Sequence, residues 1–161
     1  LDSGFQLVQA LISFGRGEWT GTGLGSGIQK LFYLPEAHTD FLFSVIAEEL
    51  GLMGVVTVIA LYSLLVWRAF VIAAEAEKAG HLFGGFIAYG LGILFGFQSF
   101  VNMGVNMGIL PTKGLTLPLM SYGGGSMIMM CSGLALLFRV HNDTQERKAD
   151  THKRGAEWAT A

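Results

Sequence analysis

Three carboxylate residues lie close together at the edge of a long apolar segment. Asp40 comes directly before an apolar run, and Glu48 and Glu49 lie inside that run. An ionisable side chain is costly at membrane depth and marks a functional site by default. The residue types therefore point to chemistry on a molecule that resides at the boundary between water and lipid.

The spacing of these carboxylates limits the reaction. Asp40, Ser44 and Glu48 are four residues apart, so they share one face of a predicted helix. At ~1.5 Å per residue, Asp40 and Glu48 are roughly 12 Å apart along the helix axis. The two carboxyl groups of an inverting glycosidase are only about 6.5–9.5 Å apart. The spacing disfavours a two-carboxylate hydrolase, and it makes Glu48 a cavity-lining or structural group. The residues alone favour Asp40 as an N-cap.

A second informative segment, residues 103–126, combines prolines, glycines and one cation. Pro111 and Pro118 interrupt helix formation, and a glycine triplet begins at Gly123. Irregular backbone at membrane depth is tolerated only where protein or a wet cavity surrounds it. A glycine run that leads into a helix N-terminus is a natural anion site. Lys113 adds a point charge suited to phosphate. The alternative is that Lys113 extends its amine to the membrane surface.

Composition and charge indicate a membrane protein. Hydrophobic residues make up 52% of the chain and charged residues 14%, whereas soluble domains are about 25% charged. The net charge of −2 argues against a nucleic-acid partner. Cys131 is the single cysteine, which excludes a disulfide framework or a cysteine-based metal site. His38 is a candidate for binding metal or substrate, and its alternative is a solvated loop residue.

The apolar runs predict an all-α polytopic membrane protein with three transmembrane helices. The predicted segments are an outer loop at 1–40, a helix at 41–67, a loop at 68–81, a helix at 82–102, a loop at 103–120, a helix at 121–139 and a tail at 140–161. Most Lys and Arg residues lie in 68–81 and 139–161, which assigns those parts to the cytoplasm. Asp40 and Lys113 then lie on the outer face. We expect the tail after Asn142 to be mobile.

The N-terminal region has two features of its own. Phe5, Val8 and Ile12 share a helical face, which predicts a short amphipathic helix at the membrane surface. The glycines between 15 and 27 indicate a loop with unusual backbone angles or close approach to another group. No strand precedes them, so a dinucleotide fingerprint is rejected. Without an initiator Met or a signal-peptide pattern, the chain is interpreted as the C-terminal part of a longer membrane protein.

Three segments carry a resemblance to a known family. They are YLPEAHTDF at 33–41, EELG at 48–51 and GILPTKGLTLPLMSYGG at 108–124. These segments resemble the SEDS family of polytopic membrane glycosyltransferases, and the segments 14–19 and 29–31 favour its cell-division member. The resemblance implies that the chain holds the last three of about ten helices, plus most of the large outer loop before them. We expect the isolated chain to be inactive.

The resemblance also implies a reaction and a site. The family polymerises lipid II into peptidoglycan glycan strands on the outer face of the bacterial cytoplasmic membrane. Asp40 matches the family's essential aspartate, which makes it the expected general base rather than only a cap. Lys113 and the turn that follows would hold the lipid diphosphate, with or without a divalent cation such as magnesium or manganese. The expected substrate-binding residues are Lys113, Ser121, Gly123, Gly124, His38 and Glu48.

The resemblance implies partners and leaves alternatives open. The expected partners are lipid II, undecaprenyl-linked glycan, a class B penicillin-binding protein with transpeptidase activity, other membrane proteins of the division machinery and membrane lipid. One alternative is a lipid II translocator, because intramembrane polar groups also line transport paths. A second alternative is a non-catalytic scaffold for the penicillin-binding protein. A transferase needs polar groups gathered at the outer end, whereas a translocator needs them at several depths.

Overall fold

The computed structural model describes residues 42–110, 116–121 and 124–159, together with five residues nearer the start: Val8, Ile12, Trp19, Gly21 and Gly23. Its three long helices are α1 (Leu42–Lys78), α2 (Leu82–Asn106) and α3 (Gly124–Ala159). Each contains a stretch long and apolar enough to cross a membrane. The predicted all-α fold with three spanning helices is confirmed. Of the predicted amphipathic helix near the start, only Val8 and Ile12 are described, and both are helical and exposed.

A tight turn joins α1 and α2 into an antiparallel hairpin. Gly80 has a φ of 73°, which a side-chain-bearing residue rarely adopts. The Gly80 amide donates to Glu77 O at 3.0 Å, and the His81 amide donates to Ala76 O at 2.8 Å. This pair of bonds is a Schellman motif, which satisfies carbonyls at the end of α1. The glycine therefore sets where the chain reverses.

Two apolar clusters hold the helices together. The cluster near the α1–α2 turn includes α3 residues and consists of Ala69, Ile72, Ala73, Ala76, Ala88, Leu137 and Val140. The cluster at the opposite end consists of Phe43, Ala47, Val55, Val58, Tyr62 and Leu117. Small residues let α1 and α2 approach closely: a Cβ on Gly92 would lie 3.2 Å from the Ala69 Cβ. Close packing through small residues is typical of membrane helix pairs.

Two helices are longer at the turn end than the sequence predicted. The predicted loop 68–81 is helical as far as Lys78, because its Ala, Glu and Lys residues are good helix formers. The tail expected to be mobile after Asn142 is helical to Ala159. That extension packs on α1: Lys148 Nζ lies 2.8 Å from Glu75 Oε2, and Thr144 is fully buried. The polar composition of these segments reflects helix ends that extend past the apolar stretch.

At the opposite end, the helix limits also differ from the prediction. α2 continues past the predicted limit at Asn102 as far as Asn106, and α3 begins at Gly124 rather than Ser121. Asn102 and Asn106 are buried and bonded within the bundle, so their polarity does not end the helix. The predicted loop 103–120 is correspondingly shorter at its start.

Candidate functional site

The start of α1, the end of α2 and the segment 116–121 meet at one end of the bundle, which we call the motif end. Asn106, the last residue of α2, links the two helices. Its Oδ1 accepts a bond from the Ser44 amide at 3.3 Å, and its Nδ2 donates to Asn102 O at 2.9 Å. Ser44 is the third described residue of α1, in the first turn, where a side chain can accept a bond from a backbone amide. A side chain of α2 therefore contributes to capping α1.

The segment 116–121 forms a compact turn buried against α1. The Leu117 amide donates to Ser121 Oγ at 2.9 Å, and the Ser121 amide donates to Leu117 O at 3.1 Å. Tyr62 of α1 donates its hydroxyl to Pro118 O. Leu117, Pro118 and Ser121 are almost fully buried. The turn is thus anchored by side chains as well as by its own backbone.

The same turn is also tied to the other two helices. Gln98 of α2 donates to Thr116 O at 3.0 Å. The Thr116 hydroxyl lies 3.2 Å from the Ser126 hydroxyl, near the start of α3. The segment therefore contacts all three helices, and it sets where α3 begins relative to α1 and α2.

The motif end contains a buried carboxyl group. Glu48 is 1% exposed, and Ser44, one turn before it on α1, is fully buried. Asn102 of α2 is also buried. A buried carboxylate is tolerated only with hydrogen-bond or charge partners, so a concentration of amide and hydroxyl groups suits it. Of the buried polar and charged side chains among the described residues, all except Thr144 lie from Ser99 to Asn106 on α2, over the first turns of α1 or in the segment 116–121.

A kink in α1 lies directly after Glu48 and Glu49. Gly51 has φ 63° and ψ −157°, which interrupts the regular helix. The Glu49 carbonyl accepts a bond from the Gly23 amide at 3.2 Å. Gly21 has a φ of 77°, and a Cβ there would lie 2.1 Å from Glu49 O. The prediction of unusual angles and close approach in the glycine-rich loop is confirmed at Gly21 and Gly23.

This contact gives a stability prediction for Gly21→Ala in the full-length protein. A left-handed residue with a Cβ costs about 1–2 kcal/mol, and at Gly21 the new methyl also displaces the loop from Glu49 O. Gly80→Ala is the matched control, since Gly80 has φ 73° and open space around its Cβ position. We expect thermal unfolding in detergent to show a larger loss for Gly21→Ala than for Gly80→Ala. Equal losses would mean that the loop contact contributes nothing.

The predicted site residues divide into two groups. Glu48, Ser121 and Gly124 are described and lie at the motif end; Ser121 uses its hydroxyl within the turn, and Gly124 is exposed at the first position of α3. Asp40, His38, Lys113 and Gly123 lie outside the described residues. Asp40 precedes Leu42 by two positions, and Lys113 lies between Leu110 and Thr116. The predicted roles of all seven residues stay predictions.

Sequence reasoning missed four polar residues that organise this end of the bundle. They are Tyr62, Gln98, Asn102 and Asn106. The sequence signal that could have identified them is a polar side chain inside an otherwise apolar helix. Membrane proteins keep such side chains where they bind a partner group or serve a function. Asn102 and Asn106 also stand four residues apart, on one face of α2.

A metal site has little support among the described residues. Within 42–110, 116–121 and 124–151, no three His, Cys, Asp or Glu side chains come together to hold an ion. The nearby donors are amides and hydroxyls around a single buried carboxyl, which do not fit a divalent cation that prefers several carboxylate oxygens.

A bundle of spanning helices with a buried polar cluster at one end defines a polytopic membrane protein. The FtsW, RodA and SpoVE family of cell cycle proteins matches residues 1–146. The chain belongs to this family, as the SEDS resemblance of the three motif segments predicted.

Curated relatives and solved structures agree with this assignment. A probable peptidoglycan glycosyltransferase FtsW from Methylomonas methanica is 72% identical over 90% of this chain and 37% of its own. The corresponding protein of Methylococcus capsulatus is 69% identical over 89% of this chain and 36% of its own. The chain therefore spans about a third of the length of these relatives.

Two solved structures share the fold. One is described as showing structural coordination of polymerization and crosslinking by a peptidoglycan synthase complex. It has a TM-score of 0.65 and 38% identity, over 85% of this chain and 37% of the other. The second is an aspartate-to-alanine mutant of the Thermus thermophilus rod shape determining protein RodA. It has a TM-score of 0.62 and 39% identity, over 84% of this chain and 40% of the other.

Proposed function

We propose that the full-length protein is a peptidoglycan glycosyltransferase that polymerises lipid II during cell division. Membership of the family supports the activity, and relatives at 69–72% identity bear the name of the division member, FtsW. The observation that carries the proposal is the gathering of polar groups at the motif end. A transferase needs its polar groups at one depth, whereas a translocator needs them along a path through the bundle.

The proposed reaction uses one carboxylate as a general base. Asp40 takes the proton from the acceptor sugar hydroxyl while that oxygen attacks the anomeric carbon of the donor. The bond from this carbon to the lipid diphosphate breaks, the diphosphate leaves with the electron pair, and the configuration inverts. The position of Asp40, two residues before α1, supports this role because α1 begins at the motif end.

The leaving diphosphate needs a positive environment. Lys113 supplies it in this proposal, together with backbone amides near Gly123 and Gly124 at the start of α3. Residues 111–115 connect Leu110 to Thr116, and both of these residues lie at the motif end. His38 and Glu48 complete the proposed substrate site.

The experiment that tests the activity is polymerisation of lipid II by the purified full-length protein in detergent. Detergent leaves no membrane to cross, so a translocator or a scaffold would produce no glycan. The protein should be purified with a class B penicillin-binding protein, the partner proposed from the synthase-complex neighbour. We expect glycan strands from the complex, and their absence would overturn the proposal.

The orientation of the helices gives a separate prediction. The Lys and Arg distribution assigns the motif end to the outer face of the cytoplasmic membrane. In a Cys131→Ser background, cysteines at Ala79 and Thr151 should be protected from an impermeant reagent in intact cells, and one at Thr22 should react. Permeabilised cells, in which all three should react, are the control. Labelling of a cysteine at Ala79 in intact cells would contradict the proposed orientation.

A further inference from the structure

We propose that Asn106 is a positioning residue that holds the start of α1, and with it Asp40, at the geometry needed for glycan transfer. The inference rests on the proposed function of Asp40 and on the contact between Asn106 and Ser44. Asn106 lies outside the family motif segments 33–41, 48–51 and 108–124.

The geometry of Asn106 suits this role. It is fully buried, and its amide group spans two helices: Oδ1 accepts from the Ser44 amide, and Nδ2 donates to Asn102 O. An amide alone combines an acceptor and a donor at this length, whereas a carboxylate keeps only the acceptor. The acceptor faces the positive N-terminal end of α1, where such a group is most stabilising.

The effect of this bond reaches Asp40 through the chain. Ser44 is four residues after Asp40, so their Cα atoms are at most about 14 Å apart even in extended chain. The bond fixes the first turn of α1 against the end of α2, from which the chain continues toward Lys113. One side chain therefore fixes the backbone of α1 four residues after the proposed base.

Loss of this coupling should affect turnover rather than substrate affinity. A displacement of about 1 Å at a reacting group can lower the rate on the order of 10²-fold. Asn106 is fully buried and is not itself a proposed substrate contact, so substrate binding should change little. In the full-length complex, we expect Asn106→Leu, which keeps the branched heavy-atom skeleton and removes the side-chain hydrogen bonds, to lower kcat by at least tenfold with KM unchanged.

Two further variants separate positioning from general loss of structure. Asn106→Asp keeps the acceptor for the Ser44 amide but loses the donor to Asn102 O, so it should recover part of the lost kcat. Thr144→Val is the matched control: Thr144 is a buried polar residue of α3, away from the motif end, whose hydroxyl bonds to Val140 O in its own helix. Its kcat and KM should remain those of the wild type.

Hydrogen exchange gives a readout that does not depend on activity. A peptide covering residues 42–50 should exchange faster in Asn106→Leu and at the wild-type rate in Asn106→Asp, with peptides from 82–100 unchanged in both. If Asn106→Leu keeps the wild-type kcat and exchange rate, or if Asn106→Asp recovers neither, the inference is wrong. Failure of the proposed function is a different outcome, namely full activity in Asp40→Asn or none in the wild type.

Discussion

Replacing Lys113 by methionine in the full-length protein should lower the use of lipid II by roughly 10- to 100-fold while leaving folding intact. A hydrogen bond to a charged group is worth about 1.5–3 kcal/mol, which corresponds to this range of rates. Methionine keeps the length and the apolar part of the side chain, so the change isolates the ammonium group. The measurement is kcat/KM for lipid II with the purified complex in detergent.

Two control variants test whether the effect depends on the charge at Lys113 and on the location of that charge. Lys113→Arg retains a cation that can bind phosphate, and we expect it to keep most of the activity. Lys78→Met removes a cation from the other end of α1, near the turn at Gly80, and should leave kcat/KM unchanged. Unchanged turnover in Lys113→Met would contradict a role of Lys113 in binding the diphosphate. Its side chain would then only extend its amine to the membrane surface.

The main features of the fold could be predicted because they depend on local sequence. Long uncharged apolar runs can satisfy their backbone in lipid only as helices, so three spans followed directly. The positions of the helix breaks were also predicted: Pro118 lies in the irregular segment, and Gly124 and Gly125 are the first two described residues of α3. The glycine-rich loop was predicted to make close approaches, and Gly21 does so against Glu49 O.

The details that shape the site depend on contacts between distant parts of the chain. Asn106 and Ser44 are 62 residues apart, and Tyr62 and Pro118 are 56 apart, so no local pattern pairs them. The kink at Gly51 was not predicted, because a single glycine is tolerated inside a membrane helix without any kink. The helical tail was not predicted either, because its composition resembles a mobile segment and the contact of Lys148 with Glu75 of α1 joins residues 73 apart.

The substitution with the largest expected effect is Asp40→Asn. Asparagine has nearly the same size and is an equally good N-cap, but it cannot accept the proton of the attacking hydroxyl. Loss of one acid–base group typically lowers a rate by ~10²–10⁴-fold. Loss of a cap alone would cost ~1 kcal/mol of stability and would leave the rate of the folded protein unchanged. The two roles that the sequence allowed for Asp40 therefore give different results.

The alternatives to a transferase also respond differently to this change. A scaffold would be unaffected by Asp40→Asn as long as the penicillin-binding protein remained bound. A translocator would show no glycan synthesis in detergent with either the wild type or the variant. The variant must therefore be compared with the wild type at equal folding and equal partner binding, both measured on the purified complex.

The most direct test is the rate of glycan synthesis from lipid II by the purified full-length complex in detergent, compared between the wild type and Asp40→Asn. Our account predicts polymer from the wild type and a rate ~10²–10⁴-fold lower for Asp40→Asn, with unfolding temperature and partner binding unchanged. Near-normal glycan synthesis by Asp40→Asn would contradict the assignment of Asp40 as the general base.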